Sequence, residues 1–185
     1  SKYKIMRKIS FAINKRGFFM ADNEKLQIIR HSCAHVMAEA VLHLYPDTKI
    51  AIGPAIETGF YYDFDFGDTK ISDADFPAIE KEMRKILSGN HDFVCKEVSK
   101  DEALKLFRNQ KYKIELINDL PDGEKITTYE QDGYLDLCRG PHVSNTKEIN
   151  QQSFKLQKVA GAYWRGDSDR EMLTRIYAVC FEKPN

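Results

Sequence analysis

Two short motifs, far apart in the chain, hold the residues best suited to chemistry: His31-Ser-Cys-Ala-His35 and Asp136-Leu-Cys-Arg-Gly-Pro-His142. The first puts two imidazoles one helical turn apart, so they share a face. The second puts a thiol and an imidazole on either side of a Gly-Pro turn, with a carboxylate just upstream. Folded together, they give three histidines, one cysteine and one acid around one point. Three chemistries and one purely structural reading fit that set. His31, His35, Cys138 and His142 can complete a tetrahedral zinc site. A neutral histidine can instead act as general base on a water. Asp136 would then orient it or hold a substrate amino group, and backbone amides around Gly53 or Gly140 would stabilise an oxyanion. Cys138 as a covalent nucleophile is weaker, because its turn carries no nucleophile signature. The plainest alternative is a pair of hydrogen-bonded core histidines beside a small buried thiol.

The elements that must position these residues are legible from periodicity. Leu26, Ile29, Cys33, Val36, Met37, Ala40 and Leu44 recur at helical spacing, predicting a helix over 23–45 that Pro46-Asp47 stops. His31 and His35 lie nearly opposite that stripe, on a face with Ile28, Ala38 and Leu42 and no charge. A solvent face would be charged, so this helix is expected to be covered on both sides, its histidines facing a protein-lined cavity. Short strands are expected at 49–52, 60–66, 93–98, 112–117, 126–131, 135–138, 154–159, 162–164 and 173–181. Ser72 to Asp75 with Pro77 opens a second helix that ends at Gly89-Asn90, and Ser99-Lys-Asp-Glu102 is a capping box for a third. Helices and strands intersperse without regular βαβ units. The fold class is therefore α+β, an antiparallel or mixed sheet with packed helices.

At 185 residues the chain can bury a core without staples. Lys plus Arg and Asp plus Glu are equal at 28, so nothing global argues for nucleic acid. The charge is uneven, however: Lys2, Lys4, Arg7, Lys8, Lys15 and Arg16 all precede the first acid, Asp22. Residues 1–22 read as a basic N-terminal segment or linker, and 23–185 as the functional domain. The four scattered cysteines resemble no disulfide framework, and no apolar run is long enough for a bilayer. No membrane partner and a reduced, cytoplasmic setting are the expectations.

Five segments occur in order: His31-Ser-Cys-Ala-His35, Ile52-Gly-Pro54, Gly59-Phe-Tyr-Tyr-Asp63, Asp136-Leu-Cys-Arg-Gly-Pro-His142 and Ala160-Gly-Ala-Tyr-Trp-Arg-Gly-Asp167. Together they closely resemble the editing domain of bacterial-type threonyl-tRNA synthetases, over about Leu26 to Tyr177. Alanyl editing domains share the His-x-x-x-His and Cys-x-x-x-His cores; the Gly-Ala-Tyr-Trp-Arg-Gly-Asp stretch favours the threonyl group. The resemblance implies hydrolysis of the ester in mischarged seryl-tRNA(Thr), sparing threonyl-tRNA(Thr). Such repair is needed because one methyl supplies only about 1–3 kcal/mol of discrimination. It carries catalytic roles to His31, His35, Lys113, Asp136, Cys138 and His142, and pocket-lining roles to Gly53 and Tyr62. Ala34 or Ala38, beside the histidines, would help form a wall against threonine's methyl. No metal is implied as required, although the alanyl relatives use His31, His35, Cys138 and His142 equivalents for zinc. The implied partners are the acceptor end of tRNA(Thr) and the catalytic and anticodon-binding domains of an ATP-using synthetase. Two alternatives remain: alanyl-type trans-editing of seryl-tRNA(Ala), and a non-catalytic module that holds tRNA or zinc. No class II synthetase motifs are present, and Ser1 stands where a methionine would start, so the chain is expected to be an excised fragment or a free-standing editor.

Overall fold

The structure, a computed structural model, describes residues 17–182, with side chains from residue 23. Most of the basic N-terminal segment lies outside the described residues. Helix α1 (Gly17–Leu44) begins upstream of the predicted start and ends just before the predicted Pro46 stop. From Ile29 to Val41 only His31 escapes full burial, so this helix is covered on nearly every side, as its uncharged second face requires.

Strands β1 (Lys49–Ile50) and β2 (Gly59–Asp65) follow, then α2 (Phe76–Ser88), β3 (Val94–Val98), α3 (Lys100–Leu106) and α4 (Lys111–Asn118). Strands β4 (Ile126–Gln131), β5 (Tyr134–Leu137), β6 (Phe154–Tyr163) and β7 (Met172–Cys180) complete the chain. Two antiparallel sheets result, one ordered β1-β2-β7-β6 and the other β3-β4-β5. The fold is α+β with packed helices, the class expected from the sequence.

Helix α1 packs on α2 and on β2. Its apolar residues join Phe60, Tyr62 and Phe64 of β2 and Ile79, Met83 and Ile86 of α2 in the main core. Ser72 caps a 3-10 turn ahead of α2 with a full capping box, and Ser99 caps α3 through the amide of Glu102. Two predicted strands, 154–159 and 162–164, are one strand, bulged between Leu156 and Lys158. The predicted strand over 112–117 is instead α4. Its alternation was misleading because Lys113, which reads as a solvated residue, is buried beside Tyr112.

Candidate functional site

Four elements converge on one cavity. Helix α1 supplies His31 and His35, β2 supplies Tyr62, α4 supplies Lys113, and β5 with its following loop supplies Asp136, Cys138 and His142. At the base, Asp136 Oδ2 accepts hydrogen bonds from Tyr62 Oη at 2.7 Å and Tyr134 Oη at 2.6 Å. Lys113 Nζ lies 2.7 Å from Asp136 Oδ1 and donates to Tyr62 Oη at 3.1 Å. His35 Nε2 lies 3.5 Å from Oδ2. All five residues are buried. Burial alone would push the Asp136 carboxyl up, but Lys113 and then His35 outweigh it and hold the group at about 2. Asp136 is thus an ionised carboxylate, its Oδ2 held by two tyrosine hydroxyls and its Oδ1 paired with Lys113, and orienting its neighbours is the role its surroundings support.

An ionised carboxylate only accepts, so His35 turns an Nε2–H toward it. That leaves His35 Nδ1, buried and without a partner, as a bare acceptor. Burial holds this imidazole down at about 3, against the pull of Asp136.

Nearer the mouth, Cys138 Sγ sits 3.4 Å from His31 Nε2 and 3.2 Å from His142 Nε2, and accepts from the Gly140 amide at 3.2 Å. His31 Nδ1 lies 3.3 Å from the Pro141 carbonyl, which can only accept, so it carries the proton. Ser32 Oγ donates to the Ile28 carbonyl at 2.8 Å and accepts from the Val143 amide at 3.0 Å. Its hydrogen is committed to Ile28, so His142 Nδ1, 3.0 Å away, donates to it. Both imidazoles therefore turn Nε2 lone pairs on one sulfur, and a single thiol proton cannot satisfy both. Burial lowers the pKa of His31 and, with His35 and His31 adding to it, that of His142. Burial pushes the Cys138 thiol up to about 12, with the Gly140 amide opposing. A thiol so held is a poor nucleophile.

The reactive nitrogens and sulfur of His31, His35, Cys138 and His142 lie within 4.8 Å of one another. With the lone pairs assigned above, three imidazole acceptors and one sulfur fit the donor set of a zinc ion.

The cavity holds about 340 Å³. His31, His35, Lys113, Asp136 and Cys138 line it, while His142 does not and buttresses His31 from behind, rings stacked at 4.2 Å. Gly53, Pro54 and Tyr62 line it as well. Gly53 carries no side chain because the Tyr62 ring occupies that space: a Cβ would stand 2.0 Å from the ring. Ala34 and Ala38 do not line the cavity. Both are fully buried in the main core, so α1 contributes imidazoles rather than methyls to the cavity lining.

Lys125, Arg139 and Arg165 stand at the rim. Arg139 pairs with Glu124, and Arg165 with Asp119 and Glu115. Sequence reasoning missed Tyr134 and Ser32. Tyr134 lies two residues before Asp136 on the same strand face, a period-2 signal that was readable. Ser32 sits inside the first motif and looked like filler.

A helix bearing His-x-x-x-His, facing a strand and loop bearing Cys-x-x-x-His over an antiparallel fold, defines a domain of the threonyl/alanyl synthetase editing class. Residues 126–177 match a family model described as the "Threonyl and Alanyl tRNA synthetase second additional domain". The chain is 55% identical over 160 residues to the threonine–tRNA ligase of Desulfatibacillum aliphaticivorans, covering 86% of this chain and 24% of that protein. It is 52% identical over 162 residues to that of Prochlorococcus marinus, 86% and 25% covered, and 53% identical over 158 residues to that of Enterococcus faecalis, 85% and 24% covered. The chain belongs to the threonyl-tRNA synthetase family, in its editing region, and spans about a quarter of the length of these relatives.

Proposed function

We propose that this chain hydrolyses the ester of mischarged seryl-tRNA(Thr) and spares threonyl-tRNA(Thr), in the cytoplasm, beside the catalytic and anticodon-binding domains of its synthetase. The supporting observation is the junction of a neutral imidazole, His31, with the buried Lys113–Asp136 pair across one cavity open to solvent. The ester joining serine to the terminal ribose enters between His31 and Tyr62. His31 Nε2 takes a proton from a water as that water attacks the ester carbonyl. The resulting oxyanion faces Lys113, whose Nζ is fixed by Asp136 and Tyr62. The Gly140 amide is committed to Cys138 and does not serve as the oxyanion donor. Collapse breaks the bond to the ribose oxygen, which recovers the proton from His31, releasing serine and tRNA. Lys125, Arg139 and Arg165 lie where acceptor-end phosphates would pass.

Zinc on His31, His35, Cys138 and His142 would supply a Lewis acid and a more acidic water. That donor set also favours a second reading, a module that holds zinc or tRNA without turnover.

Release of labelled serine from seryl-tRNA(Thr), measured against threonyl-tRNA(Thr) and with or without chelator, tests the proposal. His31→Ala and Lys113→Ala should each lower the rate about 10²–10⁴-fold with the fold retained. Equal rates on both esters would remove the specificity. One bound zinc with no hydrolysis would establish the module. Preference for seryl-tRNA(Ala) would establish the alanyl-type editor.

A further inference from the structure

Helix α1 continues its four-residue ladder past the cavity: His31 and His35 are followed by Glu39 and His43. Glu39 is 1% exposed, an unusual place for a carboxylate. Gln131 Nε2 donates to its Oε1 at 3.3 Å, but its Oε2 is buried without a hydrogen-bond donor. His43 Nε2 stands 3.4 Å from that orphaned oxygen. On the other side of the ring, His43 Nδ1 lies 2.9 Å from Glu82 Oε1, on α2. A metal-bound histidine is held in this way, its second nitrogen donating to a carboxylate so that the first offers a lone pair. Asp132 completes the group from the β4–β5 turn, in a left-handed conformation with φ 49°. One acceptor atom from each of Glu39, His43 and Asp132 lies within 4.8 Å of the others. His91 is the further neighbour, its Nε2 3.5 Å from Asp132 Oδ1.

We propose that Glu39, His43 and Asp132 form a second site, for a divalent ion of the zinc class, separate from the editing cavity. A cation between them would satisfy the buried Glu39 Oε2, which no hydrogen-bond donor reaches. Two ligands about 2.1 Å from a tetrahedral ion stand about 3.4 Å apart, the separation seen between His43 Nε2 and Glu39 Oε2. His43 and Asp132 are partly exposed, so an ion can enter and water can complete its shell.

The site ties α1 to the turn between β4 and β5. Helix α1 also carries His31 and His35, the turn leads directly into β5 with Asp136, and Gln131 bridges the two regions by donating to both Glu39 and the His35 carbonyl. The bound ion therefore acts as a clamp on the scaffold of the editing site.

The test uses the full chain, stripped with chelator and titrated with Co²⁺ alone. A His31→Ala/Cys138→Ala background removes the first donor set. One equivalent of Co²⁺ is expected there, with a d–d spectrum lacking thiolate charge transfer and a raised Tm. His43→Gln in that background should abolish both changes. Glu82→Gln, which leaves all three ligands in place, should weaken binding about 10–100-fold. Absence of Co²⁺ uptake would overturn the proposal and leave an imidazolium bridging two carboxylates. Uptake unaffected by His43→Gln would overturn it equally.

Discussion

Gly53→Ala tests whether the cavity wall is held by the absence of one side chain. The new methyl would stand 2.0 Å from Tyr62 Cδ2 and 2.7 Å from Cε2 and Cγ, where ordinary contact starts at 3.4 Å. Backbone and ring must part by about 1.4 Å. Tyr62 cannot yield cheaply. Its ring stacks on Phe64 at 5.0 Å between centroids, and its hydroxyl is bound to Asp136 and Lys113. Overpacking of this kind costs about 1–3 kcal/mol. At about 2–4 °C per kcal/mol for a chain of this size, Tm should fall by about 2–12 °C. A displacement above 1 Å at the anchor of Lys113 should cost about 100-fold in hydrolysis of seryl-tRNA(Thr). Thermal melts and a serine-release assay read the two effects. The pair Gly53→Ala/Tyr62→Leu should regain stability without regaining activity, a non-additive result expected of residues in contact. Wild-type Tm and rate in Gly53→Ala would refute the claim that this contact sets the wall.

Cys138→Ser should keep hydrolysis within about tenfold of wild type, because burial holds the thiol protonated; complete loss would restore the covalent nucleophile. Tyr134→Phe removes one of the two hydroxyl donors to Asp136 Oδ2, and chemical denaturation should show a loss of about 1.5–3 kcal/mol. Stability should decline as pH falls below 6.5: His35 binds a proton when unfolded near 6.5 but when folded only at about 3, so the unfolded chain takes up the extra proton in between. A denaturation midpoint flat from pH 7 to 4 would contradict that assignment. A threonyl-adenosine analogue that cannot hydrolyse should bind far more weakly than its seryl counterpart if Tyr62 and Gly53 form a steric wall; equal affinities would move discrimination to the chemical step.

Motif spacing made each half of the His/Cys cluster legible, and helical periodicity made α1 legible, because each depends on residues near in sequence. Lys113 was legible as a functional residue only through the family resemblance. Its neighbours Tyr112, Ile114 and Leu116 alternate like a strand, and nothing local shows that its ammonium is buried against an aspartate from another element. Ala38 shows the converse failure. It lies on the histidine face, but the cavity ends before it, a depth that only the packing of β2 and the core decides. Glu39, like Lys113, is a charged residue placed in the interior by tertiary context, and no local pattern marks it.

The Ser32 hydroxyl has a consequence for how the chain reaches its working form. Its bonds to His142 and Val143, like that of His31 to Pro141, close loops of 110 or 111 residues. Contacts of such sequence separation form late, after the entropy of closing the loop has been met by other elements. Neither half of the site can therefore assemble early on a helix or hairpin alone. During synthesis, α1 would wait for the loop after β5 to emerge before its imidazoles acquired defined tautomers. Recovery of hydrolysis on refolding should follow the slowest global phase, with no earlier burst of activity when α1 becomes helical.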